Sequence, residues 1–153
     1  MVWGMSLTLN TMKSSDLSRN PNKVYSEAEK EPVLLTRRDG EDLVVMTAKE
    51  AASRTWLMEL AAQIMGVATS PGGTLVERMC SAFPWMLVLS QDEREKCVTK
   101  ILESTRISLS TGHPLVAYVA FHGWKDSAEY IAAGMVEQEV DWLQEPIIVE
   151  RPA

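Results

Sequence analysis

The dipeptide Asp39-Gly40 lies between Val33-Leu34-Leu35-Thr36-Arg37 and Leu43-Val44-Val45-Met46, and it constrains this chain more than any other feature. Two β-prone runs joined across Asp-Gly make a hairpin, because these residues tolerate the positive φ of a tight turn between twisted strands. A helix must start directly after it. Thr47 is a good N-cap, and Glu50 three residues on completes a capping box. Trp56, Leu60 and Ile64, spaced four apart, extend that helix to about Met65.

Upstream, Ser6–Leu9 alternates polar and apolar residues and predicts a short strand. Ser14 and Ser15 are N-cap candidates for a brief helix around Asp16–Arg19. Asn20 then caps a second helix with Pro21 at its first position, where the missing N–H costs nothing. This helix should reach about Lys30, burying Val24 and Ala28, with Pro32 as its stop. The expected fold is α+β: a β-α-β-β-α unit over residues 1–68, then an α-helical region with an acidic tail. A unit of that size buries little apolar surface alone, so it is expected to form a homodimer.

Thr69-Ser70-Pro71-Gly72-Gly73-Thr74 reads as a linker, residues 69–74, ahead of a helical region, residues 75–153. Leu75–Ala82 is a short helix, and Phe83-Pro84-Trp85 breaks it. Ser90 and Glu93 form a second capping box. The helix they open presents Val98, Ile101, Leu102, Thr105 and Leu109 on one face and closes at Gly112. Pro114 restarts the chain, Val116, Val119 and Ala120 continue an apolar face, and Gly123 is expected to interrupt it.

Charge divides the chain. Residues 1–125 hold 14 Lys/Arg and 14 Asp/Glu, whereas residues 126–153 hold one Arg and seven acids, so the net charge of −6 belongs to the tail. Lys13, Arg19 and Lys23 face only Asp16 within residues 1–26. A basic front and an acidic back suggest two different partners. No apolar run is long enough to cross a bilayer, and the first ten residues lack a signal-peptide pattern. Cys80 and Cys97 match no metal or redox spacing, which suits a reducing cytoplasm, so a cytoplasmic location without membrane is expected.

Enzymatic chemistry finds no motif. His113 and His122 are nine apart, Gly72-Gly73 lacks a following Lys-Ser/Thr, and no serine sits in a Gly-x-Ser-x-Gly elbow. The chain is read as a non-enzyme with no metal and no cofactor.

The stretch Lys13–Met46 resembles the Phd/YefM antitoxins, the prevent-host-death family. The likeness is carried by Ser14-Ser15-Asp16-Leu17, by Pro32-Val33-Leu34-Leu35-Thr36-Arg37-Arg38-Asp39-Gly40 and by Glu41-Asp42-Leu43-Val44-Val45-Met46-Thr47. Phe83–Ala133 is similar to a helical extension on some members. The resemblance implies a DNA-binding repressor that neutralises a cognate toxin, and it puts Arg37 on operator DNA. Members often carry an arginine where Ser14 stands, and Lys13 or Arg19 are its possible substitutes here.

Lys13, Ser14, Ser15, Arg19, Asn22, Lys23, Arg37 and Arg38 form the candidate DNA face, since cations and short donors suit phosphate oxygens and arginine also reads guanine edges. An ordinary solvated helix and turn would look the same. Trp56, Trp85 and Trp124 read as core. Trp142 and Leu143, with Ile147 and Ile148, lie among acids and read as toxin-binding anchors, or as a loosely packed terminus. The alternative function is an interaction or scaffold protein that keeps the fold without binding DNA.

Overall fold

The computed structural model describes residues 9–135. Strand β1 (Asn10–Lys13) leads through helices α1 (Ser14–Arg19) and α2 (Pro21–Ala28) to strands β2 (Val33–Thr36) and β3 (Leu43–Val45). Helix α3 (Ala48–Thr69), α4 (Leu75–Ala82), a 3-10 segment Pro84–Val88, α5 (Gln91–Thr111) and α6 (Leu115–Ala132) complete the chain. The molecule is mixed α+β, with six α-helices and one small sheet among the described residues.

The sheet has the order β1-β2-β3, with β1 parallel and β3 antiparallel to β2. Its register aligns Asn10, Val33 and Val45, then Thr11, Leu34 and Val44, then Met12, Leu35 and Leu43. Met12, Val33 and Leu35 therefore share one face, and with Val24 and Ala28 of α2 they form a closed apolar core. Val24 and Val33 are fully buried, each contributing roughly 1.5–3 kcal/mol.

Of the strand expected over Ser6–Leu9, residues 6–8 lie outside the described residues and Leu9 is not in a strand; β1 begins at Asn10. Met12 is the residue that packs beneath α2, and the Asn10 amide donates to Glu27 Oε2 (3.1 Å). Ser14 and Ser15 are not caps. β1 runs straight into α1, so Lys13 is the N-cap and its N–H donates to Asp16 Oδ2 at 2.9 Å. Asn20 does cap α2, accepting from Lys23 N–H (3.4 Å), and α2 ends at Ala28, two residues short of Lys30.

Thr47 caps α3, accepting from Glu50 N–H at 3.1 Å, but the box is only half made. The Glu50 carboxylate instead takes Arg54 Nε at 2.7 Å. α3 continues past Met65 to Thr69, and its buried residues Leu57, Leu60 and Val67 belong to a second, larger core shared with α4, α5 and α6. The division between the two cores thus falls between β3 and α3, ahead of residues 69–74. Those residues make a pinned turn: Arg78 donates to the carbonyls of Val67 (2.9 Å), Gly72 (3.2 Å) and Gly73 (2.9 Å). Thr74, expected in the linker, caps α4 and closes a capping box with Glu77.

The Ser90–Glu93 box opens α5 as expected, and Gly112 (φ +72°) ends it. Val98, Ile101 and Thr105 are buried as expected and Leu102 packs against the core, but Ser104 and Ser108 are inside as well, and Leu109 is 40% exposed. The cause is the approach of α6, whose inner face is Ala117, Phe121, Trp124 and Ala128. Ser108 Oγ accepts the Ala117 N–H at 2.9 Å, supplying the cap that Pro114 lacks. Val116 and Val119 consequently face outward, and α6 runs through Gly123 without interruption. Among the described residues no helix is long and apolar enough to cross a membrane.

Candidate nucleic-acid interface

Parallel pairing of β1 with β2 sets Lys13 beside Thr36. Thr36 Oγ1 donates to the Met12 carbonyl at 3.3 Å, tying the two strand ends together. Residues 24 positions apart in sequence are thereby neighbours. Lys13, Ser14 and Ser15 leave one strand where Arg37 and Arg38 leave the other.

The crossover adds a second pair of cations. The Asn10–Glu27 bond holds the C-terminal part of α2 at the start of β1. A helix running back along the sheet then has its first turn, with Asn22 and Lys23, toward the end where Lys13 lies, and Arg19 precedes it. Lys13, Ser14, Ser15, Arg19, Asn22, Lys23, Arg37 and Arg38 are all exposed. Among the described residues, none of the five cations makes an ion pair.

Two features position Arg37, and neither was picked out from sequence. Its backbone N–H donates to Asp42 Oδ1 at 3.1 Å, closing the loop across the turn. Its guanidinium lies over Gly40, where an added Cβ would stand 3.3 Å from Cζ. An aspartate two residues after a turn glycine was the available signal. Four carboxylates share this end, Asp16, Asp39, Glu41 and Asp42, so the surface is only weakly cationic. Asp16 and Asp42 are each engaged by a backbone N–H.

No family model, no curated protein and no solved structure matches the chain.

The expected toxin anchors Trp142, Leu143, Ile147 and Ile148 lie outside the described residues. His122 stacks on Tyr118 (centroids 4.1 Å) and packs near Trp56 (5.7 Å) and Phe121 (5.6 Å). No group of three His, Cys, Asp or Glu among the described residues is placed to hold a metal ion. Both cysteines are buried, and burial, then the neighbouring Cys80, pushes the Cys97 thiol up to about 12. A cleft of about 550 Å³ between α4 and α5 contains Glu77, Arg94 and Glu95. Glu77 is spent on its helix cap, and Arg94 donates to the carbonyls of Met86 and Leu87.

Proposed function

We propose that the chain is the antitoxin of a toxin–antitoxin pair, a repressor whose β1–β2 end contacts its own operator and whose C-terminal part captures a toxin. The observation that carries the DNA half is the register of Lys13 with Thr36, which brings the start of α1 and the arginine hairpin together. Five exposed cations without ion-pair partners among the described residues release counterions when they meet phosphates. Arg37, held by Asp42 and Gly40, is preorganised to reach a base edge.

The sheet supports a homodimer. Its face opposite α2 carries Thr11, Leu34 and Val44, and among the described residues no helix core covers it. Val44 (46%) is exposed there, on the edge strand. A second copy covering this face buries it and doubles the cations offered to a palindromic site.

The toxin half rests on the acidic segment beyond Lys125. Acids draw a cationic RNA-processing surface quickly, and Trp142, Leu143, Ile147 and Ile148 supply the apolar hold that charge lacks. Titration of the chain against DNA from upstream of its own gene, at two salt concentrations, tests the first half. Co-purification of the neighbouring gene product, with Trp142→Ala weakening capture by about 2 kcal/mol, tests the second.

Asp39, Glu41 and Asp42 in the hairpin favour the second reading, an interaction module that does not bind DNA. Capture of a partner together with no shift of upstream DNA at low salt selects it.

A further inference from the structure

Helices α4 and α5, with the 3-10 segment between them, enclose the cleft of about 550 Å³ on part of its boundary and leave the rest open. That volume is ordinary for a small-molecule site. Val76, Cys80 and Leu87 supply its apolar lining. Cys80 is buried, whereas Leu87 is 55% exposed, a large apolar side chain that the chain's own core leaves uncovered.

The walls are held in place by the chain itself. Arg94 donates through Nε to the Met86 carbonyl at 3.2 Å and through Nη2 to the Leu87 carbonyl, tying the 3-10 segment to α5. The Thr74–Glu77 box fixes the start of α4. A ligand therefore meets a formed cleft, and little of the entropy of ordering its walls is lost on binding.

Charge in the cleft is uneven. Glu77 and Glu95 stand against Arg94 alone, and among the described residues none of the three makes an ion pair. Arg94 has N–H groups engaged by two carbonyls. Glu77 gives Oε2 to the Thr74 N–H at 2.7 Å, which leaves Oε1 to accept from a ligand. Two carboxylates and one guanidinium give the cleft a net charge of about −1, which attracts a cation and repels an anion.

We propose that this cleft binds a small organic cation, a primary ammonium on an aliphatic body. The ammonium is directed to Glu77 and Glu95, and the aliphatic part lies on Val76, Cys80 and Leu87. Neither the β1–β2 end nor the acidic tail takes part, so the site stands or falls apart from the antitoxin reading.

Titration of the full-length chain with hexylammonium chloride, followed by the methyl resonances of Val76 and Leu87, tests it. Sodium hexanoate, of matching chain length and opposite charge, is the comparison. The two methyl sets should shift saturably with hexylammonium and need at least about fivefold more hexanoate for the same shift. Glu95→Gln, at an exposed position where folding is not at stake, should raise the half-saturating hexylammonium concentration at least about threefold. No shift by about 20 mM, beyond the weak end of specific binding, overturns the proposal. Hexanoate acting as well as hexylammonium overturns it, as does an unaltered response in Glu95→Gln. Equal shifts at Leu115 and Val119, exposed apolar residues of α6, also overturn it and assign the effect to adsorption on any apolar surface.

Discussion

The guanidinium of Arg37 lies against the one residue of its turn that has no side chain, Gly40, with 3.3 Å between Arg37 Cζ and the point where a Cβ would be. Gly40 also has φ +116°, which a residue with a Cβ rarely adopts. The glycine therefore serves the turn and the arginine together.

Gly40→Ala should lower hairpin stability by about 1–3 kcal/mol and dislodge Arg37. On the repressor reading, DNA affinity falls with it. Arg37→Ala should cost about 1–3 kcal/mol of binding if it reads a base, or flatten the salt dependence if it meets only phosphate. Gel-shift titration at two salt concentrations reads both, and unchanged affinity in Arg37→Ala removes that residue from the interface.

Val44→Lys places a charge on the open face of the sheet, opposite Leu34 and away from the α2 core. If the chain dimerises through this face as proposed, the substitution should give a folded monomer at micromolar concentration. Sedimentation with circular dichroism checks it, and an unaltered dimer would move the interface to another surface.

Ser108 is fully buried and its Oγ is the acceptor for Ala117 N–H. Ser108→Ala leaves that N–H without a partner and should destabilise the helical core by about 1–3 kcal/mol. Urea denaturation followed by tryptophan fluorescence measures the loss.

Cys97 is buried, and its thiol lies at about 12 against 9.0 for the free group. The native chain should therefore resist iodoacetamide at Cys97 through about pH 9, where a free thiol reacts as thiolate. Above the unfolded value the unfolded chain loses its proton first. This group's contribution to stability is present below about pH 9 and declines as pH rises toward 12. Alkylation mapped by mass and a pH series of unfolding midpoints test the two statements.

The N-terminal elements were legible because local chemistry decides them. Asn20-Pro21, Pro32, Asp39-Gly40 and Thr47 each force a start or a stop, and the structure has an element boundary at or beside each. Where tertiary packing decides, sequence periodicity misleads. Leu109 and Val119 looked like core but are exposed, because the α5–α6 contact is lined with Ser104, Ser108 and Ala117, small enough for the helices to approach. The same holds for α3, whose apolar spacing shows that it has a buried face but not which core receives it. For the candidate site, the cations were visible one by one, and their meeting was not. That depends on the parallel register of β1 on β2, which no local signal encodes.

The two cores differ greatly in size: five buried residues close the sheet unit, and thirteen close the helical one. Opening free energy follows the apolar contact each unit owns, so the sheet unit opens first and often, while the helices hold. A protease in the cell meets the β1–β3 end unfolded far more frequently than it meets α5. On the repressor reading, turnover of the surface offered to operator DNA is thus set by a clock separate from that of the helical body, and binding of a second copy or of DNA would slow only the former.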